Sequence, residues 1–193
     1  MVKLSPKDVF QHLLAIIALY ISAGSLIALV FQYINLFFPD PLNLPYYRSV
    51  ADTIRRSMAA LIIVFPVYLF STRTLNQDYR DSAEKRELKI RKWLVYFTLF
   101  AAASIIIGDL VALVYNFLGG ELTVRFILKV LTMLAVSATI FWYYLFDLRG
   151  KLEVKHYRMF ALAVSAVALA SVVFGFFTAG SPFKARQILF DEQ

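Results

Sequence analysis

Residues 93–148 read WLVYFTLFAAASIIIGDLVALVYNFLGGELTVRFILKVLTMLAVSATIFWYYLFDL. Two apolar stretches, 93–118 and 122–146, flank the pair Gly119-Gly120. Each stretch exceeds the ~20 residues that a helix needs to cross hydrocarbon. The glycines suit a helix C-cap and a tight turn. The stretch therefore predicts two antiparallel transmembrane helices. Each carries charge where charge is expensive: Asp109 on the first, Arg125 and Lys129 on the second.

Depth follows from helical rise. Asp109 lies ten residues before Gly119, and Lys129 nine after Gly120. At ~1.5 Å per residue both fall roughly 15 Å below the turn. That is near the bilayer middle, where an unpaired charge is costly and partners are expected. The reading predicts that Asp109 faces Lys129, with Arg125 one turn nearer the glycines and Asn116 at about its level. An ion pair fixing helix register is favoured over a gate or a proton- or ion-binding site, because groups of opposite charge are already on adjacent helices.

Three further spans complete the chain, 9–38, 48–71 and 159–179; the apolar run of the second is only Met58 to Phe70, and its helix begins near Arg48. The 193 residues are 60% hydrophobic with a mean hydropathy of +0.67. Five helices apolar on all faces would leave a soluble domain of this size too little polar shell. The fold class is thus all-α, a polytopic bundle of five transmembrane helices filling residues 1–180. Ser5-Pro6-Lys7-Asp8 is a helix start. Lys3 and Lys7 ahead of a long apolar run mark a retained first span rather than a signal peptide. Pro39, Pro41 and Pro45 end that span, and Pro66 should kink the second. Trp93 and Trp142-Tyr143-Tyr144 mark membrane interfaces. Small residues in span one (Ala18, Ser22, Gly24, Ala28) and span five (Ala163, Ala166, Ala170, Ser171, Gly175) allow close helix packing.

Net charge is +7. The cations sit in short loops rather than on a soluble face, so nucleic acid is not the expected partner. Residues 71–92 read as a long polar loop whose second half is helical, opened by a capping box at Asp81-Ser82-Ala83-Glu84. That loop holds seven Lys or Arg, the loop after span four holds four, and the turn after span three holds none. The positive-inside rule then puts the N-terminus in the cytoplasm and the 181–193 tail outside. Lys85, Arg86, Lys89, Arg91 and Lys92 are candidate contacts for anionic lipid headgroups. Asp52, Arg55 and Arg56 form a second cluster, read first as interfacial snorkelling and second as an anion or headgroup pocket shared with Arg125. His12 reads as a satisfied interfacial ring before a proton relay.

Several chemistries find no support. Cysteine is absent, which excludes disulfides and thiolate chemistry. No Gly-rich phosphate loop, paired-His zinc motif or nucleophile elbow is present. No cofactor or metal is expected, and an enzyme, even an intramembrane one, is disfavoured.

Certain runs have a recognisable pattern. They are Gly108-Asp109-Leu110, Tyr115-Asn116-Phe117-Leu118-Gly119-Gly120-Glu121-Leu122-Thr123 and Arg125-Phe126-Ile127-Leu128-Lys129. Lys85-Arg86-Glu87-Leu88, Ile90-Arg91-Lys92-Trp93, Tyr143-Tyr144-Leu145 and Asp147-Leu148-Arg149 join them. Together these resemble the bacterial membrane family known as domain of unknown function 5671. The likeness covers essentially the whole chain. It implies a multi-span protein of the bacterial cytoplasmic membrane and supplies no activity, cofactor or site residue. It also implies relatives that continue past span five, so a short or truncated member is expected here. The leading expectation is a non-enzymatic scaffold, anchor or assembly subunit, with span five as a surface for a second copy or a membrane partner. The alternative is an ion channel or small-solute transporter using Asp109, Lys129 and Arg125.

Overall fold

The structure, a computed structural model, describes residues 5–39, 47–81, 85, 87–120, 122–150 and 154–178. Five helices cover them: α1 (Pro6–Phe37), α2 (Tyr47–Asp81), α3 (Lys89–Leu118), α4 (Val124–Leu148) and α5 (Val154–Thr178). No strand occurs among the described residues. All five helices are long and apolar enough to cross a membrane. The molecule is a multi-pass membrane protein. The expected proline segment at 41–45, Ser82-Ala83-Glu84, Arg86, Glu121, Lys151 and the tail at 181–193 lie outside the described residues.

Helix α1 is the hub and packs against each of the other four. Its start is set locally: Ser5 N–H donates to Asp8 Oδ2 at 3.3 Å, and Pro6 occupies the first helical turn, where no N–H is needed. On α2 the residues Ile54, Met58, Leu61, Phe65, Tyr68, Thr72, Leu75 and Tyr79 recur at alternating steps of four and three. That spacing is the period of a seam between two helices, and Ile54 to Tyr68 are all buried in the core with Ile16, Leu19, Leu29 and Tyr33 of α1.

The seam explains one departure from the sequence reading. The polar composition of residues 72–81 reads as loop, yet α2 runs unbroken to Asp81. No helix breaker interrupts it, and Leu75 and Tyr79 carry the seam two further turns along α1. Trp142 is exposed as expected of an interface marker, but its neighbours Tyr143 and Tyr144 turn inward.

The short connections have local causes. Gly120 adopts φ +70°, which favours glycine, and Thr123 Oγ1 caps α4 by accepting from Phe126 N–H at 3.1 Å. Gly150, at φ +66°, closes the other end of α4. Gly175 of α5 lies so close to the bundle that a Cβ there would run into Met58 Sδ and come 2.8 Å from Tyr33 Oη. The small residues of α5 therefore divide. Gly175 and Ala168 are buried, while Ala163, Ala166 and Ala170 remain exposed.

Candidate functional site

The helices alternate in direction, so the bundle has two ends. One gathers the start of α1, the end of α2, the start of α3, the end of α4 and the start of α5. There a chain of side chains links all five helices in order. His12 Nδ1 lies 2.6 Å from the Asp8 carbonyl oxygen, and its Nε2 lies 2.6 Å from Tyr79 Oη. A carbonyl only accepts, so Nδ1 carries the proton and, in the neutral ring, the Tyr79 hydroxyl donates to Nε2. Arg91 stacks on the Tyr79 ring at 5.1 Å and donates to Asp147 Oδ2 at 2.6 Å. The Tyr157 hydroxyl donates to the other oxygen of Asp147. The Arg91 and Asp147 side chains are only 11% and 15% exposed, so this ion pair is largely out of water.

Around this relay lies a partly open cavity of about 60 Å³, lined also by Thr72, Asn76, Tyr143 and Tyr144. It has room for a few waters rather than an organic substrate, which takes roughly 300 Å³ or more. Below it, Lys85 bridges Asp8 at 3.4 Å and Asp78 at 3.3 Å. Burial alone would lower the Lys85 pKa; the two carboxylates outweigh it and hold the ammonium above its ordinary value. No group of three or more His, Cys, Asp or Glu side chains able to hold a metal ion occurs among the described residues.

The other end, which carries the Gly119-Gly120 turn, is built differently. The expected pairing of Asp109 with Lys129 is not formed. Asp109 Oδ2 is buried without a hydrogen-bond partner, and the Lys129 ammonium sits over the Phe31 ring at 5.5 Å. A lysine stem reaches about a turn toward the nearer membrane face, and the short Asp side chain cannot follow it. Asn116 does not join Arg125 either: it donates to Ala112 O of its own helix at 2.8 Å. Arg125 Nε instead donates to Asn35 Oδ1 at 2.9 Å, and Asn35 Nδ2 donates to Gln32 Oε1 at 3.0 Å.

The family profile described as domain of unknown function, DUF5671, matches residues 8–144. The chain belongs to this family. No curated protein and no solved structure matches it. The DUF5671 match takes in α1 to α3 and most of α4, so Asp8, His12, Tyr79 and Arg91 of the relay fall within it. Asp147 and Tyr157 lie beyond it, as does α5.

The remaining candidates of this DUF5671 chain separate. Asp52 and Arg55 approach to 3.4 Å with each side chain about half exposed, and Arg56 is exposed. They do not share a pocket with Arg125, which is engaged with α1. Among the headgroup candidates, Arg91 is a correction: it points into the bundle and is held by Asp147. Lys85 is likewise taken by Asp8 and Asp78. Lys92 pairs with Glu87 in the open, and Lys89 is exposed.

Sequence reasoning missed the relay, although a signal existed. Arg91 lies 28 residues before Gly119 and Asp147 lies 27 after Gly120. The depth arithmetic used for Asp109 and Lys129 matches this pair equally well.

Proposed function

We propose that this protein is a non-enzymatic assembly subunit of the membrane, a helical module that completes a larger complex by packing against another membrane helix. The observation that carries the reading is the unpartnered Asp109 Oδ2. A carboxylate inside the hydrocarbon is costly without a partner, and Lys129 of the neighbouring helix has turned away from it. Another helix would supply a donor once the Asp109 side chain turns its buried oxygen outward. Ile105, one turn before Asp109 on the same stripe of α3, is exposed and belongs to the surface it would meet. The exposed Ala163, Ala166 and Ala170 of α5 offer a second close-packing face. The membrane is the bacterial cytoplasmic one, with the basic relay end inside and the Gly119-Gly120 end outside.

The test is native electrophoresis and light scattering of the protein extracted in mild detergent, wild type against Asp109→Leu. The expected result is a wild-type particle larger than one chain and a monomeric Asp109→Leu of equal helicity. A monomeric wild type with the mobility of the variant would sink the proposal.

The same bare carboxylate supports a second reading, a site that exchanges a proton or cation during transport. The cavity around the relay does not have Asp109 in its lining, which weighs against it. Proton or ion flux into proteoliposomes, present in wild type and lost in Asp109→Asn, would promote this reading over the first.

A further inference from the structure

We propose that Arg125 and Lys129 of α4, with Asn35 and Gln32 of α1, form a binding site for a phosphate-bearing anion, the headgroup of an anionic phospholipid being the source the geometry favours. The site goes beyond the assembly reading and does not involve Asp109. Depth comes first. Helix α4 has 25 residues, about 37 Å at ~1.5 Å per residue, and so overhangs a ~30 Å hydrocarbon core by a few ångströms at each end. Arg125, in its first turn, lies at headgroup level. Lys129 starts one turn deeper, and its stem returns the ammonium to the same level.

Unused donors come second. No carboxylate lies within ion-pairing distance of Arg125 or Lys129 among the described residues, whereas Arg55, Lys85, Arg91 and Lys92 each have one. Among the described residues Arg125 spends only Nε, on Asn35, which is itself held by Gln32. That chain fixes the guanidinium plane and leaves both Nη groups for a ligand. Planar, forked donors of this kind suit phosphate oxygens. Among the described residues Lys129 has only the face of Phe31.

Repulsion comes third. Two cations four residues apart on one helix repel each other, and both stand at the end of α4 where the helix dipole is already positive. A phosphate between them is attracted to both cations and to the helix end, and these attractions offset the repulsion.

The experiment is native mass spectrometry of the full chain released from mixed micelles of phosphatidylglycerol and phosphatidylcholine, with a parallel thermal-shift titration of inorganic phosphate. The variants are Lys129→Gln, which removes no hydrogen bond, and Arg125→Gln/Lys129→Gln, with Arg55→Gln as a control cation on α2. Wild type and Arg55→Gln should retain phosphatidylglycerol in preference to phosphatidylcholine. Retention should fall roughly fivefold for each cation removed at the site. A phosphate-dependent shift that is likewise lost in Lys129→Gln supports the site and assigns it to a soluble anion. Equal retention and equal shifts in wild type and Lys129→Gln overturn it, whether or not the double variant folds.

Discussion

The two ends of the bundle hold the same kinds of side chain and treat them in opposite ways. At the relay end Asp8, Lys85, Asp78, Arg91 and Asp147 all have partners, and His12 is engaged at both ring nitrogens. At the glycine-turn end Asp109, Arg125 and Lys129 have no ionic partner among the described residues. Shape holds that end instead. Tyr33 Oη donates to Ser171 O at 2.7 Å, Phe174 packs edge-on against Tyr33, and Gly175 lets α5 close on Met58. The difference teaches where to look for function. A satisfied polar network specifies a structure, while unsatisfied charge at membrane depth invites something from outside.

The comparison breaks most visibly at Asp147. Asp147→Asn leaves Arg91 buried without its counter-charge and strips the Tyr157 hydroxyl of a charged acceptor. Removing one partner of a largely buried ion pair destabilises by about 3 kcal/mol or more. Arg125→Gln should cost no more than about 1 kcal/mol, the scale of pairs in contact with solvent. Thermal unfolding of both variants in one detergent measures the contrast, and equal losses would erase the distinction between the ends.

At the opposite end, packing rather than charge should dominate. Gly175→Ala drives a methyl into Met58 Sδ and Tyr33 Oη. Overpacking of this kind destabilises by about 1–3 kcal/mol. The atoms it meets belong to side chains, and Met58 is flexible, so the lower half of that range is expected. Met58→Ala in the same chain should recover part of the loss. A double variant no better than Gly175→Ala alone would show that the backbone, not the Met58 side chain, takes the strain.

The five spans were legible because length and apolarity act locally. The far end of α2 was legible too, in the four-three alternation through Thr72, Leu75 and Tyr79, but composition hid it. Azimuth was harder than depth. Arg91 and Asp109 are 18 residues apart on α3, as are Asp147 and Lys129 on α4. On an ideal helix each couple shares one stripe, since 18 residues make five turns. A stripe of that period drifts ~20° per heptad from a seam between wound helices, about 50° over this span. Matching depth therefore brings one pair together without securing the other. Asn35 as the partner of Arg125 had no sequence signal, since 90 residues separate them.

The smallest expected effect concerns Lys85, and it tests the relay end from its wet side. Asp78 and Asp8 outweigh the lowering by burial and raise its pKa in the folded chain. A group whose folded pKa is raised contributes fully below its unfolded value and loses that contribution as pH climbs through the folded one. The stability difference between wild type and Lys85→Gln should thus be a few tenths of a kcal/mol at neutral pH. It should begin to fall as pH passes the ordinary lysine value of 10.5 and vanish above the raised folded value. Added salt should shrink it, because this pair is partly open to water, and should leave the Asp147→Asn loss nearly unchanged. Chemical denaturation in detergent at two pH values and two salt concentrations measures both. A Lys85→Gln loss that ignores salt and pH would place Lys85 inside the dry part of the relay, and the wet boundary would then lie beyond Asp8.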